Sequence, residues 1–315
     1  MRVWLPYADL AEAEARLGGL PVGIEPDFYR ADGDEFPASI DEVEFYVIPY
    51  MRGEAELRCV TKMSSLKVIQ TLTAGVENFV PLVPPGVTLC NAAGVHDAST
   101  AELALALTLA SGRHLDASAR SQAVGRWEPV FGTALADQRV LILGYGRIGQ
   151  AIEARLAGFE VASITRVARR PRTEPEVHPT TELLELLPQT DVLIVIAPLT
   201  AATEMIVNAE TLAALPDGAL VVNVARGKLV DTGALLTETR SGRLRAALDV
   251  TDPEPLPADH PLWAVPNVLI SPHVGGASSA FFPRADALIK AQLERFVRGA
   301  ELANVIETSP TGETA

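Results

Sequence analysis

The sequence predicts an α/β protein with two domains, each built around a parallel β-sheet. Short apolar runs alternate with stretches of helical spacing, the pattern of parallel sheets that are covered by helices on both faces. Near the middle of the chain, a glycine-rich turn joins one of these apolar runs to a helical stretch. The length of 315 residues is sufficient for two domains of ordinary size, each with its own buried core.

Composition and charge exclude several classes of protein. The chain is 48% hydrophobic and 21% charged, which is typical of a globular protein. The formal net charge of −14 argues against a nucleic-acid partner and against an anionic membrane surface. No apolar run reaches the length of a membrane span, and the amino terminus lacks a signal-type apolar core, so we expect a cytoplasmic protein. Cys59 and Cys90 lie in apolar settings without further ligands at metal-binding spacing, so we expect reduced core residues and no metal site.

The amino-terminal part of the chain has the alternation expected of a parallel α/β domain. The segment from Ala8 to Leu17 has helical spacing. Apolar runs that end in Pro, Gly or acidic residues predict strands at 43–48, 66–71 and 86–90.

A longer helix and a linker follow this first region. The Ala- and Leu-rich tract from His96 to Arg113 predicts a helix long enough to cross between two domains. Asp97 or Ser99 can cap this helix, and Ser99 with Glu102 has the spacing of a capping box. Residues 129–138 are interpreted as a linker.

Beyond the linker the alternation of strands and helices resumes. After the strand at 139–143, apolar runs predict strands at 161–164, 191–196, 219–224, 245–250 and 268–270. Helical stretches separate some of them, at 181–187, 209–215 and 232–241. A last helix from Ala280 to about Leu302 is expected to return to the first domain, and residues 308–315 have the composition of a frayed tail.

The glycine-rich turn predicts a dinucleotide site. Gly144, Gly146 and Gly149 match the pattern G-x-G-x-x-G between a buried strand and a helix. In this pattern the first glycine permits a tight turn, the second lets the backbone approach a pyrophosphate, and the third lets helix and strand pack closely. The helix N-terminus then offers N–H groups and a partial positive charge to the phosphates. The alternative is a glycine-rich turn that serves packing alone.

The end of the second strand of this predicted domain favours NADP(H) over NAD(H). The Rossmann pattern places an acidic residue about 20 positions beyond the first glycine, where it binds the ribose 2′-hydroxyl of NAD. Thr165 stands at the expected position, Arg166 follows it, and Arg169 and Arg170 lie close behind. A missing carboxylate removes a repulsion, and a guanidinium can grip a 2′-phosphate. The alternative is a solvated basic loop.

Three polar residues that follow later predicted strands point to dehydrogenase chemistry: Arg226, Glu254 and His273. Ligands of open α/β sheets bind at the carboxyl ends of the strands. Arg226 can clamp a substrate carboxylate and polarise the adjacent carbonyl, and His273 can exchange a proton with the alkoxide. Glu254 can hold the other ring nitrogen. Taken singly, Arg226 also fits a surface ion pair, Glu254 an exposed loop charge, and His273 a hydrogen-bonded histidine without a catalytic role. The presence of all three after a dinucleotide motif favours catalysis.

In these segments the sequence resembles the D-isomer-specific 2-hydroxyacid dehydrogenase family, and the resemblance covers nearly the whole chain. Gly144 to Gly149 is similar to the nucleotide motif of that family. Residues 223–231, 249–256 and 271–273 are similar to the family's Arg, Glu and His segments, respectively. The loop 73–78 is similar to the one whose backbone N–H groups hold the substrate carboxylate. The sequence lacks an acidic residue at the end of the second strand, and in this it resembles NADP-preferring relatives such as glyoxylate and hydroxypyruvate reductases.

The resemblance implies two Rossmann-like domains with parallel sheets, in which the nucleotide domain is inserted into a split, flavodoxin-like substrate domain. The substrate domain would comprise residues 1–95 plus 281–315, and the NAD(P)-binding domain residues 96–280. The expected activity is reduction of a small 2-oxo acid to the D-2-hydroxy acid and the reverse oxidation, in a homodimer formed through the nucleotide domain. The alternative is a nucleotide-sensing co-repressor or scaffold of the same fold with little catalysis.

The resemblance also assigns site residues. The catalytic residues would be Arg226, Glu254 and His273. Substrate contacts would come from Ala74, Gly75, Val76, Arg226, His273, Tyr50 and Met51. Arg52 either reaches a second anionic group or faces water. Cofactor contacts would come from Gly144, Tyr145, Gly146, Arg147, Ile148, Gly149, Thr165, Arg166, Arg169, Ala197, Pro198, Thr203, Val224, Ala225, Asp249, His273 and Gly275.

Overall fold

A computed structural model describes residues 1–33, 35–52 and 59–306 of the chain. The chain divides into two compact units, one of Met1–His96 together with the chain from Ser279 on, and one of Asp97–Ser278. The frayed tail expected at 308–315 lies outside the described residues. Within the described ranges, no helix is long and apolar enough to cross a membrane.

The first unit is built on a five-stranded sheet. Its strands are β1 (Arg2–Leu5), β2 (Glu25–Phe28), β3 (Phe45–Val47), β4 (Val68–Gln70) and β5 (Thr88–Cys90). All pairings are parallel, and the order β2-β1-β3-β4-β5 is that of flavodoxin-like sheets. The parallel α/β architecture predicted for this region is therefore confirmed.

The second unit is built on an eight-stranded sheet. Its strands are β6 (Arg139–Leu143), β7 (Ser163–Ala168), β8 (Arg172–Thr173), β9 (Glu176–Pro179), β10 (Val192–Val195), β11 (Leu220–Asn223), β12 (Arg245–Leu248) and β13 (Val268–Ile270). The order is β13-β12-β11-β10-β6-β7-β9-β8, and only the short β8 runs antiparallel to its neighbour. Its central part has the strand order of a Rossmann fold, which confirms the predicted fold class.

Eight α-helices accompany the two sheets in the described part of the chain. They are α1 (Leu10–Leu17), α2 (Asp97–Gly112), α3 (Leu115–Ala123), α4 (Arg147–Leu156), α5 (Leu183–Leu186), α6 (Ala209–Ala214), α7 (Thr232–Arg240) and α8 (Phe281–Val297). Helix α2 begins at Asp97, so Ser99 lies inside it. The predicted capping box at Ser99 is therefore wrong, because the Ser99 hydroxyl instead bonds the Ser278 hydroxyl at 2.6 Å.

A pair of buried glutamines attaches α8 to the sheet of the first unit. The side chains of Gln70 and Gln292 are fully buried. Gln292 Nε2 donates to Gln70 Oε1 at 2.8 Å and to the Ala303 carbonyl at 2.9 Å, and Gln292 Oε1 accepts from the Ala303 N–H at 2.9 Å. Buried amides are costly unless they are satisfied, so these reciprocal bonds fix the register of the last helix.

Strand β6 shows why the apolar run before the glycine turn forms a central strand. Leu141 and Leu143 pack into one buried cluster of the second unit, while Val140 and Ile142 pack into the other. Successive side chains of a strand point to opposite faces, so both faces of this sheet are covered. Each fully buried aliphatic side chain contributes about 1.5–3 kcal/mol of transfer free energy.

The structure corrects two features of the strand pattern. The strand predicted at 161–164 is β7, which begins at Ser163 and continues to Ala168. Four further strands, β1, β2, β8 and β9, were not predicted. Strand β2 contains Pro26, which lacks an N–H donor, and it lies at the edge of its sheet, where a proline is tolerated.

Candidate active site

The three glycines of the central turn meet different surroundings. Gly144 has a φ of +111°, and a Cβ there would lie 2.4 Å from the Ala197 backbone nitrogen. A Cβ at Gly149 would lie 2.3 Å from the Gly144 carbonyl oxygen, so helix α4 and β6 need both glycines in order to pack. A Cβ at Gly146 would meet no atom within 4 Å among the described residues. The open space is therefore at the glycine that the motif assigns to the pyrophosphate.

The start of α4 can receive an anion. Gly146 is its N-cap residue, and no side chain in the described part of the chain bonds this end of the helix. The first N–H groups of a helix have no intrahelical acceptor and carry a partial positive charge, so they suit the phosphates of a dinucleotide. Arg147 pairs with Asp97 at 2.8 Å, and Ile148 packs against the apolar core of the unit.

The strand end at which Thr165 and Arg166 were predicted to stand is wrong by a few residues, because β7 continues to Ala168. Thr165 pairs with Leu141 inside β7, so it does not stand at the carboxyl end of that strand. Arg166 donates to Glu153, with Nε 2.7 Å from Oε2, and this hydrogen bond lowers the pKa of Glu153. Arg166 is thus paired with a carboxylate, and the residue that follows the true end of the strand is Arg169.

Tyr145 of the glycine turn lies between two arginines. Its ring centroid is 5.6 Å from the Arg166 guanidinium and 5.3 Å from that of Arg172, and its hydroxyl bonds Glu153. Arg172 also donates to the Tyr145 carbonyl, which attaches the β8–β9 hairpin to the turn. Sequence reasoning missed Glu153 and Arg172, because only the folded chain brings them beside Tyr145.

The other predicted cofactor residues follow β10 and β11. Ala197 lies against Gly144, and the Thr203 hydroxyl donates to the Pro198 carbonyl at 2.7 Å. Val224 and Ala225 are buried directly after β11. Because β6 and β10 are neighbours from which the chain proceeds in opposite directions, this edge is the switch point where such sheets bind nucleotides.

The Arg and Glu segments pack backbone against backbone. Arg226 follows β11, and its carbonyl accepts from the side chain of Asn223 at 2.9 Å. A Cβ at Gly227 would lie 1.9 Å from the Thr251 carbonyl oxygen, so only glycine allows this approach. The sequence signal for Gly227 was its place directly after the predicted catalytic arginine, and it was overlooked.

The structure brings His273 and Glu254 together. Nδ1 of His273 and Oε1 of Glu254 form a short hydrogen bond, and both side chains are partly exposed. Within the described residues no hydrogen bond occupies Nε2, which leaves that nitrogen for a substrate. The pair has the geometry of an acid/base histidine that is oriented by a carboxylate.

The charges of all three predicted catalytic residues interact. The hydrogen bond from His273 is the main cause that lowers the pKa of Glu254, and partial burial opposes it. The charge of His273, a backbone hydrogen bond from Thr251 and the charge of Arg226 lower this pKa further. Glu254 is therefore an anion near neutral pH, and it can accept a hydrogen bond from Nδ1 of His273.

Asp249 orders the loop that carries His273. This carboxylate is 2% exposed and accepts from the Ser271 hydroxyl at 2.6 Å, the Val274 N–H at 2.9 Å and the Gly275 N–H at 2.8 Å. The His273 N–H donates to the Asp249 carbonyl at 2.7 Å. The predicted contact of Asp249 with the cofactor stays a prediction, and the hydrogen bonds of its carboxylate in the structure come from protein donors.

Five of the predicted substrate residues lie in the first unit, whereas Arg226 and His273 belong to the second. Asn91 Nδ2 donates to the Ala74 carbonyl at 2.7 Å, and the Thr73 hydroxyl donates to the Gly75 carbonyl at 2.9 Å. In the described chain none of the N–H groups of residues 74–76 has a protein acceptor, so this loop can bind an anion.

The loop after β3 carries the other predicted substrate contacts. Tyr50 stacks on Phe281 with ring centroids 4.1 Å apart. Met51 is exposed and has a φ of +59°. Arg52 pairs with Asp32. Cys59 and Cys90 are buried, and in the part of the chain that the structure describes no cluster of acidic, His or Cys side chains could hold a metal ion.

Comparisons with known proteins agree with this geometry. The profile of the D-isomer specific 2-hydroxyacid dehydrogenase NAD binding domain matches residues 105–275. The chain is similar to the glyoxylate reductase/hydroxypyruvate reductase of Homo sapiens, with 35% identity over 226 residues that cover 68% of this chain and 69% of that protein. It is also similar to the hydroxypyruvate reductase of Thermotoga maritima, with 32% identity over 81% of this chain and 85% of that protein.

A solved structure of similar fold adds to these relatives. It is the NADPH-dependent glyoxylate/hydroxypyruvate reductase of Sinorhizobium meliloti in complex with NADP and malonate. The TM-score is 0.79 and the identity 28%, and the alignment covers 100% of this chain and 98% of that one.

We expect His273→Ala to raise the pKa of Glu254 toward its ordinary value, because the variant removes the hydrogen bond that lowers this pKa. The stability that the lowered pKa provides is present above the ordinary Glu range and is lost as pH falls through the lowered pKa. The wild type should therefore lose stability relative to the variant in acid. Carboxyl NMR titration and acid unfolding measure both effects.

As a control, His178→Ala removes a comparable pair with Glu182 and should leave Glu254 unaffected. An unchanged Glu254 titration in His273→Ala would contradict the pairing.

Proposed function

The chain belongs to the D-isomer specific 2-hydroxyacid dehydrogenase family, and on this basis we propose that it reduces a 2-oxo acid of the glyoxylate or hydroxypyruvate type to the D-2-hydroxy acid and catalyses the reverse oxidation. It is an oxidoreductase that acts on 2-oxo acids with a nicotinamide cofactor. The observation that carries the proposal is the His273–Glu254 pair, with Arg226 close enough to influence the charge of Glu254. The relatives named above are themselves reductases of this kind.

His273 is the proposed acid and base. When bound, the nicotinamide supplies the hydride for reduction and accepts it in the reverse direction. Nε2 of His273 donates a proton to the substrate oxygen during reduction and takes it back during oxidation. Glu254 accepts from Nδ1, which holds the ring in place and leaves Nε2 directed away from the carboxylate. The bonds from Ser271 and Val274 to Asp249 fix the loop backbone on both sides of His273.

The substrate carboxylate is assigned to two kinds of donor. Arg226 offers a guanidinium that can form two parallel hydrogen bonds to a carboxylate and withdraw charge from the adjacent carbonyl. The N–H groups of residues 74–76 offer an anion-binding loop in the first unit. These assignments rest on the family resemblance of both segments and on the donors that each segment presents.

We assign the cofactor to the open space at Gly146 and the N-terminus of α4, and we favour NADP(H) over NAD(H). Arg169 follows the end of β7, where the 2′ position of the ribose is read in Rossmann folds. Arg169 and Arg170 are exposed, and neither forms an ion pair within the described ranges. Arg166 stabilises the glycine turn, because it donates to Glu153 and lies over the ring of Tyr145. The alternative of a co-repressor or scaffold gains no support from the relatives, which are dehydrogenases.

Replacing His273 by Gln should lower kcat for 2-oxo acid reduction by about 10²–10⁴-fold, because the proton donor is lost while the dinucleotide site is intact. NADPH oxidation with glyoxylate and hydroxypyruvate measures turnover, and fluorescence titration measures NADPH binding, which should change little. His178→Gln is the matched control. Turnover near the wild-type value in His273→Gln would exclude this residue as the acid/base.

Replacing Arg169 by Gln should weaken NADPH binding about tenfold or more and change NADH binding less than twofold, since one charge-assisted contact to a 2′-phosphate is removed. Isothermal titration with both dinucleotides measures the ratio. Arg240→Gln, an exposed arginine of the same unit, makes the same charge change elsewhere. Wild-type protein that binds NADH as tightly as NADPH would refute the cofactor preference.

We propose a homodimer that forms through the nucleotide unit, supported by four exposed apolar residues close together in the chain: Val124, Trp127, Val130 and Phe131. Neighbouring exposed apolar side chains are typical of protein interfaces. Phe131→Asp should give monomers in light scattering, whereas Val22→Asp, an equally exposed residue of the first unit, should not. A wild-type mass of one chain would contradict the dimer.

A further inference from the structure

The hairpin of β8 and β9 lies at the edge of the sheet in the second unit, beside the glycine turn. Strand β8 has two residues, Arg172 and Thr173, and both are exposed. In β9, by contrast, Val177 is buried in an apolar cluster of the unit. In the described part of the chain β8 pairs with no strand other than β9. Because so short a ladder is marginally stable in water, contacts outside it determine where β8 lies.

Arg172 makes two such contacts, and both are with Tyr145 of the glycine turn. Its Nη2 donates to the Tyr145 carbonyl, and its guanidinium lies 5.3 Å from the centroid of the Tyr145 ring. An aromatic face attracts a guanidinium at such a distance. One contact is with the backbone of Tyr145 and the other with its side chain, so together they fix the guanidinium relative to the turn.

Tyr145 is itself held in place. The residue is 6% exposed and packs in an apolar cluster of the unit. Its hydroxyl donates to Glu153, whose carboxylate also accepts from Arg166 Nε at 2.7 Å. The backbone on either side of Tyr145 is fixed by the close packing of Gly144 and Gly149. Arg172 is therefore attached to a rigid part of the unit.

The loop that joins β7 to β8 is short, and both of its ends are fixed. It consists of residues 169–171, and the end of β7 before it pairs with β9. The residue after it is Arg172, with its contacts to the turn. Pro171 further restricts the loop, because its ring fixes φ. A loop of this length between fixed ends has few conformations, so the contacts of Arg172 limit where Arg169 can lie.

We propose that Arg172 is a positioning residue for the choice of cofactor: by binding Tyr145, it holds the loop 169–171 so that Arg169 meets the 2′-phosphate of NADP(H). The proposal rests on the cofactor preference proposed above and names the contact that maintains it. A loop that is ordered before binding loses less conformational entropy when the phosphate arrives, so the affinity for NADP(H) is higher. Arg172 acts through Arg169, since its own guanidinium is directed at the ring and carbonyl of Tyr145.

A double-mutant cycle tests the proposal by isothermal titration. The measured quantity is Kd for NADH divided by Kd for NADPH. Arg172→Gln should lower this ratio about fivefold, because the loop loses its preorganisation. It should change Kd for NADH by less than about twofold, because glycine packing still holds the turn. In the Arg169→Gln background, Arg172→Gln should change the ratio by less than about twofold, because the residue that it positions is absent.

A neighbouring substitution and a second measurement separate this effect from general damage. Thr173→Ala alters the other exposed residue of β8 without changing a charge, and the ratio should stay within about twofold of wild type. Hydrogen exchange without dinucleotide tests the attachment directly. Amides of the β8–β9 hairpin should exchange severalfold faster in Arg172→Gln than in wild type, whereas amides of β6 should not change.

The outcomes separate this inference from the proposed function. Equal losses of NADPH and NADH affinity in Arg172→Gln would overturn the inference, because Arg172 would then support the turn alone. A double variant whose ratio falls by the product of the two single effects would also overturn it, because Arg172 would then bind the phosphate directly. An unchanged ratio or unchanged hairpin exchange in Arg172→Gln would overturn it as well. Each of these results leaves the NADP(H) preference standing, whereas equal binding of both dinucleotides by the wild type would overturn the preference and the inference together.

Discussion

The candidate active site depends on one buried carboxylate. Asp249 is almost inaccessible to water, and an isolated charge in that position would be very unfavourable. Its bonds to Ser271, Val274 and Gly275 satisfy the charge, and they also fix the path of the loop on both sides of His273. His273 has a φ of +51°, a conformation that non-glycine residues adopt only when their surroundings impose it. The position of the proposed acid/base is therefore determined by a residue that never contacts substrate in our proposal.

The parallel sheet brings the remaining parts of the site to one edge. Segments that follow β6, β10, β11 and β12 carry the glycine turn, Ala197, Arg226 and Glu254. Two glycines hold these segments at their observed spacing, because Gly144 contacts the Ala197 backbone and Gly227 contacts the Thr251 carbonyl. A side chain at either position would separate neighbouring segments. Backbone packing thus sets the distance between the nucleotide turn and the catalytic residues. The catalytic side chains therefore lie near the turn without long loops.

Sequence reasoning found the features that local patterns encode. Strands with both faces buried, such as β10 and β11, are continuous apolar runs, and the glycine turn has fixed spacing. Two of the missed strands lie at sheet edges: β2 is half exposed and contains a proline, and β8 has only two residues. Thr165 and Arg166 were placed at the end of a strand that continues to Ala168. Strand ends depend on pairing with neighbours, here β6 and β9, and that pairing is not visible in the sequence of β7 alone.

Because contacts between distant residues are not visible in the sequence, the sequence of an acidic protein also does not show which arginines are available to bind an anionic ligand. Arg16 lines a pocket of the first unit and Arg166 lies beside the glycine turn, yet Asp286 and Glu153 each bind two guanidinium nitrogens of their partner. Arg30 and Arg52 both pair with Asp32, while Arg16 bonds both Asp286 and Glu12, so the charges of these six described residues balance. With a net charge of −14, anions approach only where acids are locally outnumbered. The balance of charge around each guanidinium, rather than the presence of arginine in a motif, therefore decides which of these sites can attract an anionic ligand.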